Sequence, residues 1–102
     1  MKRILFITSG SHATDVLVKN TLSAAEIAGV EMKFEIADEA EGLRLYKQEN
    51  FDILLLSPLL RFLLNEKGES EIPKKSPIEV VENTIYGSLN GEGLFKLVMS
   101  KL

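Results

Sequence analysis

The sequence contains no cysteine and no tryptophan, and it has a single histidine, His12. Without cysteine, the chain cannot form disulfides, bind a metal through thiolates or use a thiol in catalysis. One histidine is too few for a metal site that depends on several imidazole ligands. We therefore expect neither a metal centre nor a bound cofactor.

Strong positive charge and long apolar runs are also missing. Twelve basic and fifteen acidic residues give a net charge of −3, which argues against a nucleic-acid-binding surface. No apolar stretch approaches the length of a membrane-spanning helix. Met1, Lys2 and Arg3 precede a short apolar run that ends at Ile7, too short for a secretion signal, so we predict a cytoplasmic protein.

The hydrophobic periodicity alternates between strand and helix along the chain. At 102 residues the chain can bury one core, so residues 1–102 are predicted to form a single domain. Strands are predicted at residues 4–7, 31–37, 53–56 and 78–81. Helices are predicted at residues 12–28, 38–49, 58–64 and 94–102. The first has Ser11 as its N-cap, or Thr14 if the helix starts later. Residues 65–76 are predicted to be an exposed loop, and residues 83–90 a turn-rich connection.

The strands differ in pattern, and the difference predicts the sheet. Residues 4–7 and 53–56 are apolar throughout, as in central strands covered on both faces. Residues 31–37 alternate apolar and charged, and residues 78–81 are half polar, as at sheet edges. Right-handed crossovers then give an α/β three-layer sandwich, with a four-stranded parallel sheet of order 2-1-3-4 and helices on both faces. A ligand is expected where strands 1 and 3 end.

Small and hydroxylated residues join the first strand to the first helix at this edge: Thr8, Ser9, Gly10, Ser11, His12, Ala13 and Thr14. Backbone N–H groups and the positive end of a helix dipole converge there, which favours phosphate or another anion. Small polar residues are equally typical of a βα turn that does no more than cap its helix. The loop is neither a Walker loop nor a dinucleotide fingerprint, because it lacks their glycine pattern and lysine.

Two side chains extend the list of candidates. His12 could bind phosphate as a cation or accept a phosphoryl group on a ring nitrogen, although an exposed histidine without a task is the simpler interpretation. The loop hydroxyls would become nucleophiles only beside a base, and His12 is the one imidazole available. Arg61 could reach the same pocket or a partner, although a plain surface arginine is again the simpler interpretation.

Several stretches resemble the IIB component (EIIB) of the bacterial phosphoenolpyruvate-dependent sugar phosphotransferase system (PTS), lactose/cellobiose/chitobiose type. They are ILFITSG leading into DVLVKN, FDILLLSPLLRF, PIEVVENTIYG and SLNGEGLFKLV, in the family's order and over nearly the whole chain. The resemblance implies a phosphotyrosine-phosphatase-like fold. It also implies a relay in which a cysteine at the end of strand 1 takes phosphate from a phosphohistidine of EIIA and passes it to a sugar at the membrane component EIIC. Arg61 and Tyr86 lie in these stretches and are predicted to contact the partners.

The match fails at the cysteine. The family's cysteine position falls on Ile7 when the sequences are aligned on Gly10, and on Thr8 when the alignment is shifted by one. Neither side chain can form the thiolate that the family's loop stabilises. Leu59 also stands where glutamine is usual after the proline, and Asp15 resembles an insertion. We therefore predict a non-catalytic or regulatory EIIB homologue that meets the membrane only through EIIC.

Two other interpretations remain open. An active carrier would use His12, or Thr8 or Ser9, as the phosphoryl acceptor. A flavodoxin-like module would bind phosphate or a nucleotide with the same loop, although four strands and few aromatic residues argue against a flavin. A receiver domain is disfavoured because Asp52 precedes the third strand, and a tyrosine phosphatase of the usual kind needs a cysteine and a loop arginine.

Overall fold

A computed structural model describes residues 1–9, 12–64, 72–73 and 75–102. In chain order its elements are β1 (Lys2–Ile7), α1 (His12–Ile27), β2 (Met32–Ala37), α2 (Glu39–Gln48), β3 (Ile53–Leu56), a 3-10 helix (Pro58–Leu63), β4 (Ile78–Val80), α3 (Asn83–Tyr86) and α4 (Gly91–Lys101). Most of the predicted loop at 65–76 lies outside the described residues, as do Gly10 and the predicted N-cap Ser11.

The four strands form one parallel sheet in the predicted order, β2-β1-β3-β4. The side chains from Ile4 to Ile7 and from Ile53 to Leu56 have no exposed surface. The prediction from their uniform apolarity is confirmed, since a central strand covered on both faces has no polar side. Ile7 pairs with Ala37 of β2 and with Leu56 of β3, so β1 and β3 end at the same level.

Successive side chains of the central strands enter two separate cores. Ile4 and Phe6 pack with residues of α1 and α4, whereas Leu5 and Ile7 pack with Tyr46 of α2 and its neighbours. The predicted three-layer arrangement follows from this alternation, because helices cover both faces of the sheet.

Helix α1 begins at the predicted residue and ends one residue earlier than predicted, at Ile27, before Gly29 with its positive φ of 73°. Its buried face consists of Thr14, Leu17, Val18, Thr21 and Ala25. Leu22 and Ala28 are exposed although they are apolar, whereas two threonines are buried. Both threonine hydroxyls have hydrogen-bond partners, which makes their burial tolerable.

Helix α2 is capped and packed by two specific residues. The carboxylate of Asp38 accepts a hydrogen bond from the N–H of Glu41 at 2.8 Å, and Glu39 and Glu41 place further negative charge in the first turn, where the helix dipole favours it. Gly42 lies against Ile7, where a Cβ atom would come within 2.5 Å of Ile7 Cγ1. The glycine therefore lets α2 approach the central strand closely.

The predicted helix at 58–64 is a 3-10 helix, Pro58–Leu63, rather than an α-helix. In a 3-10 helix, residues three apart lie on the same side. Leu60 faces the core at 6% exposure, whereas Leu59 and Phe62 are 76% and 68% exposed. A run of consecutive apolar residues could not show which of them face water.

The C-terminal quarter also differs from the prediction. The connection at 83–90 contains the short helix α3, and α4 begins at Gly91 rather than at Leu94. The side chain of Asn90 caps α4 by accepting from Gly93 N at 2.9 Å. Glycine is unfavourable inside helices, so the sequence pattern did not indicate that α4 begins at Gly91. A Cβ at Gly91 would lie 2.2 Å from the carbonyl carbon of Asn20, so the residue permits α4 to pack on α1.

Lys75 is exposed, as the predicted loop implies, but it also makes contacts that the sequence did not predict. Its ammonium group donates to the carbonyl oxygens of Tyr46 and Glu49, both at 3.0 Å, at the C-terminus of α2. Its backbone N–H and that of Ser76 donate to the Tyr46 hydroxyl at 3.1 and 3.0 Å. A cation at a helix C-terminus is favourable, and sequence spacing could not show that this lysine reaches one.

Candidate functional site

The carboxyl ends of the two central strands bring Thr8 and Ser57 together. The parallel ladder extends beyond the strands: Thr8 N donates to Ala37 O at 2.9 Å, and Ser57 N donates to Ile7 O at 3.0 Å. Since Ile7 pairs with Leu56, Thr8 and Ser57 follow at equivalent positions of adjacent strands. Both are almost fully buried, at 4% and 1% exposure.

A chain of three hydroxyl groups connects this edge to α1 and α3. Thr8 Oγ1 lies 2.9 Å from Thr14 Oγ1, which in turn lies 2.6 Å from the Tyr86 hydroxyl. Thr14 has no exposed surface, and Tyr86 is half-buried with its ring edge-on to Phe6 at 6.4 Å between centroids. The chain ties the end of β1 to the first turn of α1 and to a residue far along the sequence.

The hydroxyl of Ser57 stands outside this chain. It is the one buried side-chain polar atom without a hydrogen-bond partner in the described part of the protein. Side chains alternate along a strand, and Leu56 faces the α2 core, so Ser57 points to the α1 face, as Thr8 does. Sequence analysis gave Ser57 no role, because only strand register and burial reveal that its hydroxyl lacks a partner.

Ile7 and Thr8, the two positions on which the family's cysteine could fall, have different surroundings. Ile7 is fully buried in the α2 core against Gly42, where no ligand at the sheet edge can meet it. Thr8 is the first residue beyond β1 and faces the start of α1. Of these two positions, only Thr8 has a side chain that faces the start of α1.

The remaining loop residues are exposed or half-buried. Ser9 is exposed and Ala13 is half-buried. His12 is the first residue of α1, and its side chain is 89% exposed. Its Nδ1 lies 3.9 Å from Asp15 Oδ2, at the limit of an ion pair. His12 is therefore accessible to a partner without being part of the buried hydroxyl chain.

Arg61 lies on the 3-10 helix that follows β3, close to the residue that follows β4. Its Nη2 donates to both carboxylate oxygens of Glu82, at 2.8 and 2.6 Å. The hydrogen bond that Arg61 donates to Glu82, and then the negative charge of Glu82, raise the pKa of the Arg61 guanidinium above its ordinary value. The pair is exposed to solvent on both sides. The predicted partner-binding roles of Arg61 and Tyr86 stay predictions.

Two chemical features can be assessed over the described residues. No three acidic or imidazole side chains in those ranges gather closely enough to hold a metal ion. Each helix in the same ranges is too short or too polar to cross a lipid bilayer.

Comparison with known proteins extends this picture at the level of the fold. No family model and no curated protein matches the sequence. Among solved structures, the chain is similar to the lactose-specific IIB component domain of the PTS from Streptococcus pneumoniae, with a TM-score of 0.77 and 15% identity over 98% of this chain and 96% of that one. It is also similar to the cellobiose-specific phosphotransferase IIB component from Borrelia burgdorferi, with a TM-score of 0.71 and 23% identity over 98% and 90%. At these identities the likeness establishes the fold, a phosphatase-like α/β sandwich, as the sequence resemblance implied.

Proposed function

We propose that the protein is an EIIB-like module of a bacterial sugar PTS that docks a partner protein but does not relay phosphate through a cysteine. The partner at the sheet edge is EIIA, and EIIC provides its contact with the membrane. On this proposal the protein works in the cytoplasm. The observation that carries the proposal is Thr8, which stands at the end of β1 in a IIB-like fold.

Thr8 is poorly suited to replace a thiolate. A threonine hydroxyl needs a base to become a nucleophile, whereas a cysteine in such a loop is activated by the helix end and the backbone N–H groups. The side chains bonded to Thr8 and to its neighbour Thr14 are hydroxyls, which are not bases at neutral pH. Thr8 is also 4% exposed, which hinders in-line attack on a phosphoryl group.

An apolar surface supports docking at the same edge. Leu59 and Phe62 project from the 3-10 helix directly after β3, at 76% and 68% exposure. These two residues lie three apart in the 3-10 helix, so their side chains project from the same side of it. Arg61 lies between them and can offer hydrogen bonds to a partner. EIIA is the proposed occupant because this helix begins directly after Ser57, at the edge of the sheet where β1 also ends.

A phosphoryl-transfer assay tests the proposal. The chain is incubated with labelled phosphoenolpyruvate, the general PTS enzymes and a panel of EIIA proteins, and EIIA binding is measured in parallel. We expect EIIA binding without label on this chain. Label on the chain would contradict the non-catalytic role, and the absence of binding to every EIIA and EIIC would contradict the family function.

His12 provides a second candidate function, an active phosphoryl carrier. The observation that favours it is the 89% exposure of its ring at the first residue of α1, where a partner can reach it. Such a carrier would acquire an acid-labile label that the His12→Ala variant loses. Label that persists in His12→Ala but disappears in Thr8→Val or Ser9→Ala would instead identify a hydroxyl acceptor. A nucleotide-binding module would bind nucleotides without labelling or EIIA binding.

A further inference from the structure

We propose that the outer edge of β2 pairs with the same strand of a second copy of this chain, so that two sheets join into one across a twofold axis. The paired strands run antiparallel, with Phe34 opposite Phe34 of the second copy. This surface lies at the opposite edge of the sheet from β4. The inference goes beyond the proposed function and does not depend on EIIA binding.

The first observation is the free outer edge of β2. The sheet order places this strand at the end of the sheet, with no further strand beside it in the described ranges. Ala37 O accepts a hydrogen bond from Thr8 N, so the odd-numbered residues of β2 direct their backbone groups towards β1. Because the direction alternates along a strand, the N–H and C=O groups of Met32, Phe34 and Ile36 point outwards. Such an edge is a template for another strand.

The second observation is the order of charges on this strand. Lys33 and Glu35 flank Phe34, and their side chains are 58% and 35% exposed. When Phe34 lies opposite its own copy, Lys33 of each chain lies opposite Glu35 of the other. These residues form the non-hydrogen-bonded pairs of the antiparallel ladder, in which side chains lie closest together. The strand is therefore complementary in charge to a second copy of itself.

The same charges disfavour the neighbouring registers. Since alternate backbone groups point outwards, the two strands can slide past each other only in steps of two residues. A slide in one direction places Lys33 opposite Lys33 of the second copy, and a slide in the other direction places Glu35 opposite Glu35. Like charges directly opposite each other are destabilising. The charges therefore favour the register centred on Phe34 over its two neighbours.

Apolar side chains on the α1 face support this register. Ile36 lies on the same face as Phe34, which packs into the α1 core, and is 40% exposed. The register places Ile36 opposite Met32 of the second copy. Met32 lines an open groove of about 430 Å³ together with Leu22 and Ala25 of α1. Ile36 of each chain thus covers the groove of the other, which removes exposed apolar surface from water.

Charge reversal tests the pairing. Sedimentation velocity is measured from micromolar to millimolar concentration for the wild type, for Lys33→Glu, for Glu35→Lys and for the control Lys96→Glu, which reverses an exposed charge on α4. We expect wild-type dimers with a dissociation constant in the micromolar range, because one strand pair is smaller than a standard interface.

The variants distinguish this register from any other contact. Lys33→Glu and Glu35→Lys alone should each weaken association at least about tenfold, since opposite-charge pairs become like-charge pairs. Lys96→Glu should associate as the wild type does. An equimolar mixture of Lys33→Glu and Glu35→Lys should recover dimers, because a mixed pair again has opposite charges at both positions.

Amide spectra of the wild type locate the interface independently of the variants. Concentration-dependent shifts at Met32–Ala37 support the pairing and supply the decision if a variant does not fold. A wild type that stays monomeric at millimolar concentration overturns the inference, as do shifts centred on another surface. Dimers that the single charge reversals leave unchanged, or a mixture of the two variants that stays monomeric, overturn it as well. The 3-10 helix follows β3, which β1 separates from β2, so failure here leaves EIIA binding unaffected.

Discussion

The two tyrosines of the chain, Tyr46 and Tyr86, lie on opposite faces of the sheet and differ in how fully their surroundings are hydrogen-bonded. The Tyr46 hydroxyl accepts from two backbone N–H groups, at 3.1 and 3.0 Å, and bonds to Ser76 Oγ at 3.0 Å. The Tyr86 hydroxyl has a single printed contact, with Thr14 Oγ1 at 2.6 Å, and Thr14 Oγ1 in turn lies 2.9 Å from Thr8 Oγ1 at the end of β1.

This difference distinguishes Tyr46, which stabilises the fold, from Tyr86, which belongs to the candidate functional site. Around Tyr46 the hydroxyl uses both acceptor positions and its donor, and Lys75 covers the ring at 5.8 Å. Ser57 is just as deeply buried, but its hydroxyl has no hydrogen-bond partner among the described residues. A fully hydrogen-bonded hydroxyl supports the fold, whereas a buried hydroxyl without a partner costs stability.

Tyr46→Phe should have the largest effect on stability. The change leaves the N–H groups of Lys75 and Ser76 without their acceptor, and we expect a loss of about 2 kcal/mol in the free energy of unfolding. Urea denaturation followed by circular dichroism measures it. The matched change Tyr86→Phe is the control. A smaller loss of unfolding free energy for Tyr46→Phe than for Tyr86→Phe would contradict the structural role assigned to Tyr46.

Ser57→Ala should change stability in the opposite direction. Removing a buried hydroxyl that has no partner should raise the free energy of unfolding by about 1.5 kcal/mol. Thr21→Val, which removes a bonded hydroxyl, should not stabilise the protein. Destabilisation by Ser57→Ala would mean that its hydroxyl is satisfied in solution.

Tyr86→Phe should have a moderate cost. Thr14 keeps its bond to Thr8, and the phenylalanine ring keeps its contact with Phe6, so we expect a loss of about 1 kcal/mol. The same urea titration measures it. No loss at all would show that the 2.6 Å contact between Tyr86 and Thr14 contributes nothing to the fold.

Arg61→Met should have the smallest effect on stability, because its ion pair with Glu82 is exposed. The raised pKa of Arg61 means that its contribution is present below the ordinary arginine pKa and is lost only in strongly alkaline solution. The difference in thermal midpoint between the wild type and Arg61→Met should therefore stay constant between about pH 6 and pH 9, because arginine remains protonated throughout this range. Thermal melts across this range test the expectation, and a difference that grows with pH contradicts it.

The sequence alone predicted the sheet better than its periphery. The uniformly apolar runs at Ile4–Ile7 and Ile53–Leu56 identified the central strands, and chirality then determined the order. The start of α4 was missed because Gly91 is needed for contact with Asn20, which no local propensity encodes. The 3-10 helix was missed because its apolar residues follow one another without a period.

The candidate site was predicted in outline, but its chemistry was not. Sequence analysis identified the loop from Thr8 to Thr14 from its small polar residues and its position after a buried strand. It could not find the bond between Thr14 and Tyr86, which are 72 residues apart, nor the isolation of Ser57, which depends on strand register. Contacts of this kind arise from packing and have no local signature.

The central claim is that the protein binds EIIA but does not relay phosphate. The most direct test is calorimetry of EIIA binding to the wild type and to Phe62→Ser, with phosphorylated and with unphosphorylated EIIA. We predict that the wild type binds one EIIA of the panel and remains unphosphorylated, and that Phe62→Ser weakens the affinity at least tenfold without changing the fold. Phosphorylation of the wild type, or equal affinity of Phe62→Ser for EIIA, would contradict the prediction.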